Sequence, residues 1–244
     1  MNQTAQSIDL IRLSFMGIPL LMVMFIYLCW SLKVGSLLYA TARMVSQLIL
    51  IGYALIIIFK QSNPVITSGI LALMLIAASW IALRPLQKLR KKYYLKTLLA
   101  ISLGGVPTLA LVTFIVVQLE PWYMPRYIIP LAGMIFANAM NCVSLCAERF
   151  HSEITQNKCT YAEARSRAYN ASLLPLLNNF FAVGLVSLPG MMTGQILAGV
   201  SPLLAVRYQI MVMAMLLGSG GISAAIYLAL IKNQNLKNLP ATFF

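Results

Sequence analysis

The chain of 244 residues is 60% hydrophobic and 9% charged, with five acidic residues in all, a composition that fits a polytopic helical membrane protein and excludes a water-soluble fold. Its formal charge of +13 does not argue for nucleic acid, because the basic residues stand at the ends of apolar runs, where cytoplasmic loops collect them. Four cysteines, Cys29, Cys142, Cys146 and Cys159, form no spaced framework, which excludes a disulfide scaffold.

The polar start MNQTAQSIDLIR runs straight into an apolar segment without a small-residue cleavage site, so the first span is expected to stay as an anchor. That span is expected over Leu13–Trp30, the second over Leu37–Phe59 and the third over Val65–Leu83. A basic loop without acids, Arg84–Lys96, then leads to the fourth span over Thr97–Leu119. The turn EPWYMPR follows, and its Trp122 and Tyr123 suit a headgroup interface. The fifth span is expected over Tyr127–Ala147, a polar segment over Glu148–Ser172, the sixth span over Asn179–Val200 and the seventh over Gln209–Ile231. With the N-terminus outside, the inner segments carry fourteen Lys and Arg residues and the outer segments four, which predicts N-out and C-in. The expected fold is therefore an all-α polytopic membrane protein of about seven transmembrane helices. No internal repeat divides residues 1–244, so one transmembrane domain is expected. The Arg84–Lys96 cluster also suits anionic membrane lipid.

The sixth span contains SLPGMMTGQILAGVSP, Ser187–Pro202. Pro189 removes a backbone donor and Gly190 admits unusual dihedrals, so the helix is expected to be interrupted there. In hydrocarbon a broken helix needs protein or water to satisfy the freed groups, which favours a gate beside a pathway through Pro189, Gly190, Met191, Met192, Thr193, Gly194 and Gln195. Gly190 and Gly194 also form GxxxG, the signature of close helix packing, and the residues alone leave both readings open.

Within the polar segment, TYAEARSRAYNASLLP presents a small, mixed face of alanines and tyrosines, with Glu163, Arg165 and Arg167 elsewhere. A short helix along the inner surface is expected, either as an interfacial anchor or as a docking surface for a soluble partner. In the fifth span Asn138, Asn141 and Ser144 recur at threes and Glu148 ends the line. Such a row suits a substrate pathway or hydrogen bonds between helices. Cys142 and Cys146 share a face at i, i+4, with Glu148 and His151 beyond, so metal ligation there stands against the ordinary use of buried cysteines as apolar fillers. No nucleophile paired with a base suggests an intramembrane hydrolase.

The runs YIIPLAGMIFANAMNCVSLCAERF (Tyr127–Phe150) and VGLVSLPGMMTGQILAGVSPLLAVRYQIMVM (Val183–Met213), with Glu163-Ala164 between them, resemble the FetB/YbbM-type permease family, related to plant aluminium-sensitivity membrane proteins. Two departures stand out: Ala137, where many relatives have Gly, and KCTY before Glu163, where many have a Gly. The resemblance implies the multi-pass membrane subunit of an ATP-binding-cassette transporter in the cell inner membrane, exporting iron or another metal ion. A non-metal substrate such as a nucleotide sugar, or a scaffold without transport, is the alternative. It also implies a homodimer and a cytoplasmic ATPase partner that binds the ATP, contacted through Glu163, Ala164, Arg165 and Arg167 in a coupling segment over 148–172. The residues agree with a chain that carries no cofactor and hydrolyses no ATP, since no G-x-x-x-x-G-K-[ST] phosphate cradle occurs.

Overall fold

The structure is a computed structural model and describes residues 9–60, 63–157 and 159–232. Lys158, Lys237 and residues 1–8 of the polar start, on which part of the expected charge asymmetry and anchor rests, lie outside the described residues. The helices are α1 Leu10–Ser14, α2 Gly17–Cys29, α3 Val34–Ile58, α4 Pro64–Ala82, α5 Arg90–Leu111, α6 Pro125–Thr155, α7 Tyr161–Ala182, α8 Gly190–Leu197 and α9 Pro202–Ile231. No strand occurs among the described residues. Among the described residues six stretches are long and apolar enough to cross a membrane: Ile11–Cys29, Val34–Ile58, Pro64–Ala82, Arg84–Val116, Pro125–Thr155 and Pro202–Ile231.

The residues fall into two compact units, one holding α1 to α3 with Leu197–Gly199 and the other holding the remaining helices. In the first, α2 packs against α3, and neither helix has a buried residue. The second is a bundle built around α9, which packs against α5, α6 and α7, while α4 lies on α5 and α6. Local chemistry sets the helix starts. Asn63 caps α4 by accepting from the Val65 N–H at 2.8 Å, and Pro64 occupies the first helical position, where its missing donor costs nothing. Thr160 and Glu163 form a reciprocal capping box on α7. Ser201 and Pro202 do the same work for α9.

Close approach in the bundle comes from glycines in α5 and α9. A Cβ on Gly104 would lie 2.2 Å from the Ser223 hydroxyl and 2.7 Å from its backbone nitrogen, and one on Gly220 would lie 2.6 Å from both Asn138 Nδ2 and Cys142 Sγ. Without a side chain at Gly104 the backbones of α5 and α9 come together, and Gly220 leaves room for the Asn138 and Cys142 side chains of α6.

Three expectations are corrected. Arg84–Lys96 is not a loop: a 3-10 turn spans Arg84–Leu89, and α5 begins at Arg90, carrying the basic residues as helix. Arg90 ties the start of α5 to the end of α4 by donating from Nε to the Trp80 carbonyl at 2.8 Å and stacking its guanidinium 3.9 Å from the Trp80 ring centre. The polar segment does not yield a short separate helix. Instead α6 continues to Thr155, and α7 runs unbroken from Tyr161 to Ala182, antiparallel to α6, with Phe150 against Tyr161. Finally, Asn179–Val200 is not one interrupted span. The chain leaves α7 at Ala182, passes through the non-helical Val183–Pro189, and makes only the eight residues of α8 before a second break. At about 12 Å that helix is too short to cross.

Candidate functional site

The stretch between α7 and α9 is shaped by glycines other than the expected one. Gly184 holds φ +82° and donates its N–H to the Ser187 carbonyl at 3.0 Å, which closes a tight turn as α7 ends. Gly199, at φ +89°, turns the chain after α8. Both conformations are ones that L side chains resist, whereas Gly190 lies in ordinary helix. Pro189 stands just before the first residue of α8, where a missing N–H does no harm, and its carbonyl accepts from the Thr193 N–H at 2.9 Å and from the Thr193 hydroxyl at 3.1 Å. A Cβ on Gly190 or Gly194 would meet nothing within 4 Å among the described residues, so this GxxxG packs against no described helix of its own unit.

Beneath α8 lies an apolar groove of about 500 Å³ between the end of α7 and α9, with Met192 and Met213 among its walls. One polar side chain faces it from α9: Gln209, only 6% exposed, whose Oε1 has no hydrogen-bond partner among the described residues. The Oε1 of Gln195 is likewise buried and unpartnered. An unmet amide acceptor in apolar surroundings costs free energy unless something occupies the groove to donate to it. Among the expected pathway residues only Met192 lines this groove.

The row on α6 divides between two surroundings. Asn138 Nδ2 donates to the Leu216 carbonyl at 2.6 Å, tying α6 to α9. That is the interhelical alternative rather than a free ligand contact. Asn141, Ser144 and Glu148 turn the other way, into an open cleft of about 560 Å³ that they share with Arg84 and Gln87. Cys142 and Cys146 are buried in the bundle, while His151 is buried against Tyr93, with ring centres 5.4 Å apart. Among the described residues no three His, Cys, Asp or Glu side chains converge as a metal site.

At the end of the bundle where α6 finishes and α7 begins, the organiser is a residue that sequence reading passed over. Glu153 is fully buried, and its carboxylate accepts from Arg167 at 2.9 Å and from Asn157 Nδ2 at 3.0 Å, with Cys159 Sγ at 3.4 Å and Arg149 as a second ion-pair partner. A buried carboxylate is tolerated when charged donors surround it, and here they clasp α6 to α7. Tyr161 adds a tie to α9 by donating to the Leu228 carbonyl at 2.8 Å, and Lys96 does so from α5 to the Leu230 carbonyl at 2.7 Å. The candidate coupling residues therefore differ in kind. Ala164 is buried, Glu163 is engaged in its capping box with Thr160, and Arg167 is engaged with Glu153. Arg165 is exposed, its guanidinium 5.8 Å from the Tyr161 ring centre. The signal for Glu153 was available: it is one of only five acids, and it stands at the end of a long helix whose first part is largely apolar. The signals for Gly104 and Gly220 were the Gly-Gly pairs inside apolar spans.

A family model described as an uncharacterised protein family (UPF0014) matches residues 10–236. A UPF0014 membrane protein of Synechocystis sp. is 39% identical over 216 residues, covering 82% of this chain and 83% of the relative. The probable iron export permease protein FetB of Escherichia coli is 32% identical over 219 residues, covering 83% of each chain. Protein ALUMINUM SENSITIVE 3 of Arabidopsis thaliana is 31% identical over 205 residues, covering 78% of this chain and 73% of the relative. No solved structure matches.

Proposed function

The chain belongs to the UPF0014 family, and from that premise we propose that it is the membrane-spanning subunit of an ATP-binding-cassette exporter of iron or another metal ion. The observation that carries this reading is the similarity, over most of both chains, to a relative described as a probable iron export permease. ATP is bound and hydrolysed by a separate cytoplasmic chain, and two copies of the permease form the transport unit in the cell inner membrane. On this reading the end of the bundle that holds Arg84, Lys96, Arg149 and Arg165 faces the cytoplasm, in keeping with the distribution of basic residues.

The pathway runs beside α8. Three features support that assignment: turns at Gly184 and Gly199 that leave α8 on two short connections, an apolar groove beneath it, and the unpartnered Gln209 amide oxygen in its wall. α8 is the moving element, with Pro189, Gly190 and Gly194 at its start and on its unpacked face, Met192 toward the path, and Met191, Thr193 and Gln195 carried on the same short helix. Asn138 keeps α6 and α9 in register rather than binding cargo. Coupling to the ATPase goes through Arg165 and the exposed side of the first turns of α7, while Glu163 and Arg167 hold that helix in place.

The test is co-expression with the partner ATPase, followed by reconstitution into vesicles and measurement of ATP hydrolysis with and without ferrous ion. Stimulation of about threefold or more by the metal is expected for the wild type, and Pro189→Ala with Gly190→Ala together is expected to abolish stimulation while leaving the purified protein as heat-stable as before. Failure of any ATPase to co-purify, or unchanged stimulation in the double variant, overturns the reading of the complex or of α8 respectively.

A further inference from the structure

We propose that the cleft between the end of α4, the turn Arg84–Leu89 and the second half of α6 is a binding site for one phospholipid whose headgroup carries both a phosphate and a primary amine. Its volume of about 560 Å³ admits a headgroup with its glycerol and the first part of the acyl chains. Both walls change character in the same direction. Along α6 the lining passes from Met140 and Asn141 through Ser144 to Glu148, about 12 Å of helix rise, and on the facing wall Ile81 precedes Arg84. α4 and α6 start together, where the Thr67 hydroxyl donates to the Tyr123 carbonyl at 3.2 Å, and run toward the same end of the bundle. The charged parts of the two walls therefore coincide. They do so where the apolar runs of both helices give way to charge, which is headgroup level.

That polarity gradient matches an amphiphile. A free anion gains nothing from the apolar half, and a hydrocarbon gains nothing from the charged half. Opposite charges also select among lipids. Among the described residues the ion pairs are those of Arg149 and Arg167 with Glu153, so Arg84 and Glu148 are paired neither with each other nor with a neighbour. The Arg84 guanidinium can donate two parallel hydrogen bonds to a phosphate, and the Glu148 carboxylate can accept from an ammonium N–H. The Asn141 amide and Ser144 hydroxyl lie farther in, at the depth of the glycerol esters. A choline headgroup has no N–H to donate to Glu148, and a purely anionic headgroup brings its phosphate to Arg84 but leaves the Glu148 carboxylate without an ammonium partner. The site therefore selects the amine. This assignment is independent of the transport reading, and it differs from a general attraction of the basic turn to anionic lipid.

Native mass spectrometry of the full chain in detergent, titrated with phosphatidylethanolamine, phosphatidylcholine and phosphatidylglycerol of identical acyl chains, tests it. The wild type is expected to hold one phosphatidylethanolamine about tenfold more tightly than either other lipid, the size of one charge-assisted hydrogen bond. Glu148→Gln should erase the preference for the amine, and Arg84→Gln should weaken all three lipids about tenfold; both positions are exposed, so equal heat stability of the variants is expected and is measured alongside. Equal binding of the ethanolamine and choline lipids by the wild type, a preference that survives Glu148→Gln, or tightest binding of phosphatidylglycerol overturns the proposal. So does loss of dimer in both variants with lipid binding unchanged, which assigns the cleft to a second copy of the chain.

Discussion

Two pairs of glycines do opposite things in this molecule. Gly104 and Gly220 sit where α5, α6 and α9 meet, and a single added carbon at either would run into atoms less than 3 Å away. Gly190 and Gly194 carry the recognisable GxxxG spacing, yet among the described residues nothing approaches within 4 Å of where their side chains would be. Spacing on one helix says that a smooth surface exists; only the partner helix decides whether it is used. The bundle seam is therefore the rigid part of the second unit. The α8 segment, joined by two left-handed glycine turns, packs against no described helix of its unit as closely as the bundle helices pack on one another.

The largest effect is expected at the seam. Gly104→Ala forces α5 away from the Ser223 backbone and should cost ~1–3 kcal/mol, seen as a fall of several degrees in the temperature at which the detergent-solubilised protein loses its monodisperse peak. Ser223→Ala added to it should recover only part of the loss, because the hydroxyl clash is removed while the backbone clash remains. A tolerated Gly104→Ala would mean that the seam is not held by backbone contact.

The next effect is expected where α6 is clasped to α7. Glu153→Gln keeps the shape of the side chain but discharges the centre of the clasp, and should cost about 1–2 kcal/mol, moderated because Arg149 and Arg167 are half-exposed and regain water. Hydrogen exchange should quicken selectively over residues 156–167, since the segment loses its anchor while the seam is untouched. Uniform quickening across α5 and α9 would contradict that division.

The smallest effects sharpen the contrast within the α8 segment itself. Gly184→Ala puts a side chain on a φ of +82° and should cost about 1 kcal/mol, whereas Gly190→Ala should change stability by less than ~0.5 kcal/mol. The same heat-stability measurement on the two variants decides the matter. Equal losses would show that α8 is packed after all.

Hydropathy alone carried much of the architecture. Helices α2, α3 and α4 lie within a few residues of the first three expected spans, because about twenty consecutive apolar residues have one practical solution in a bilayer. Membership of the family was legible too, in the runs around Asn138 and Pro189. Where polar residues interrupt the pattern, reading failed in a consistent way: a charged stretch was taken to end a helix. Arg90–Lys96 and Glu148–Thr155 are helical because tertiary partners meet their polar groups, as Arg90 finds Trp80, Lys96 finds the end of α9, and Glu153 finds Arg167. No local rule contains those partners, since the two members of the Lys96 contact lie 134 residues apart in sequence. The same holds for the site residues. Residue type and spacing put Asn138, Asn141 and Glu148 on one row, but the helices packed on α6 sent Asn138 to the Leu216 carbonyl and the other two into an open cleft. Composition determined that this chain crosses a membrane as helices; the packing of α9 against its neighbours decided which polar groups are consumed in holding it together and which are left for a ligand.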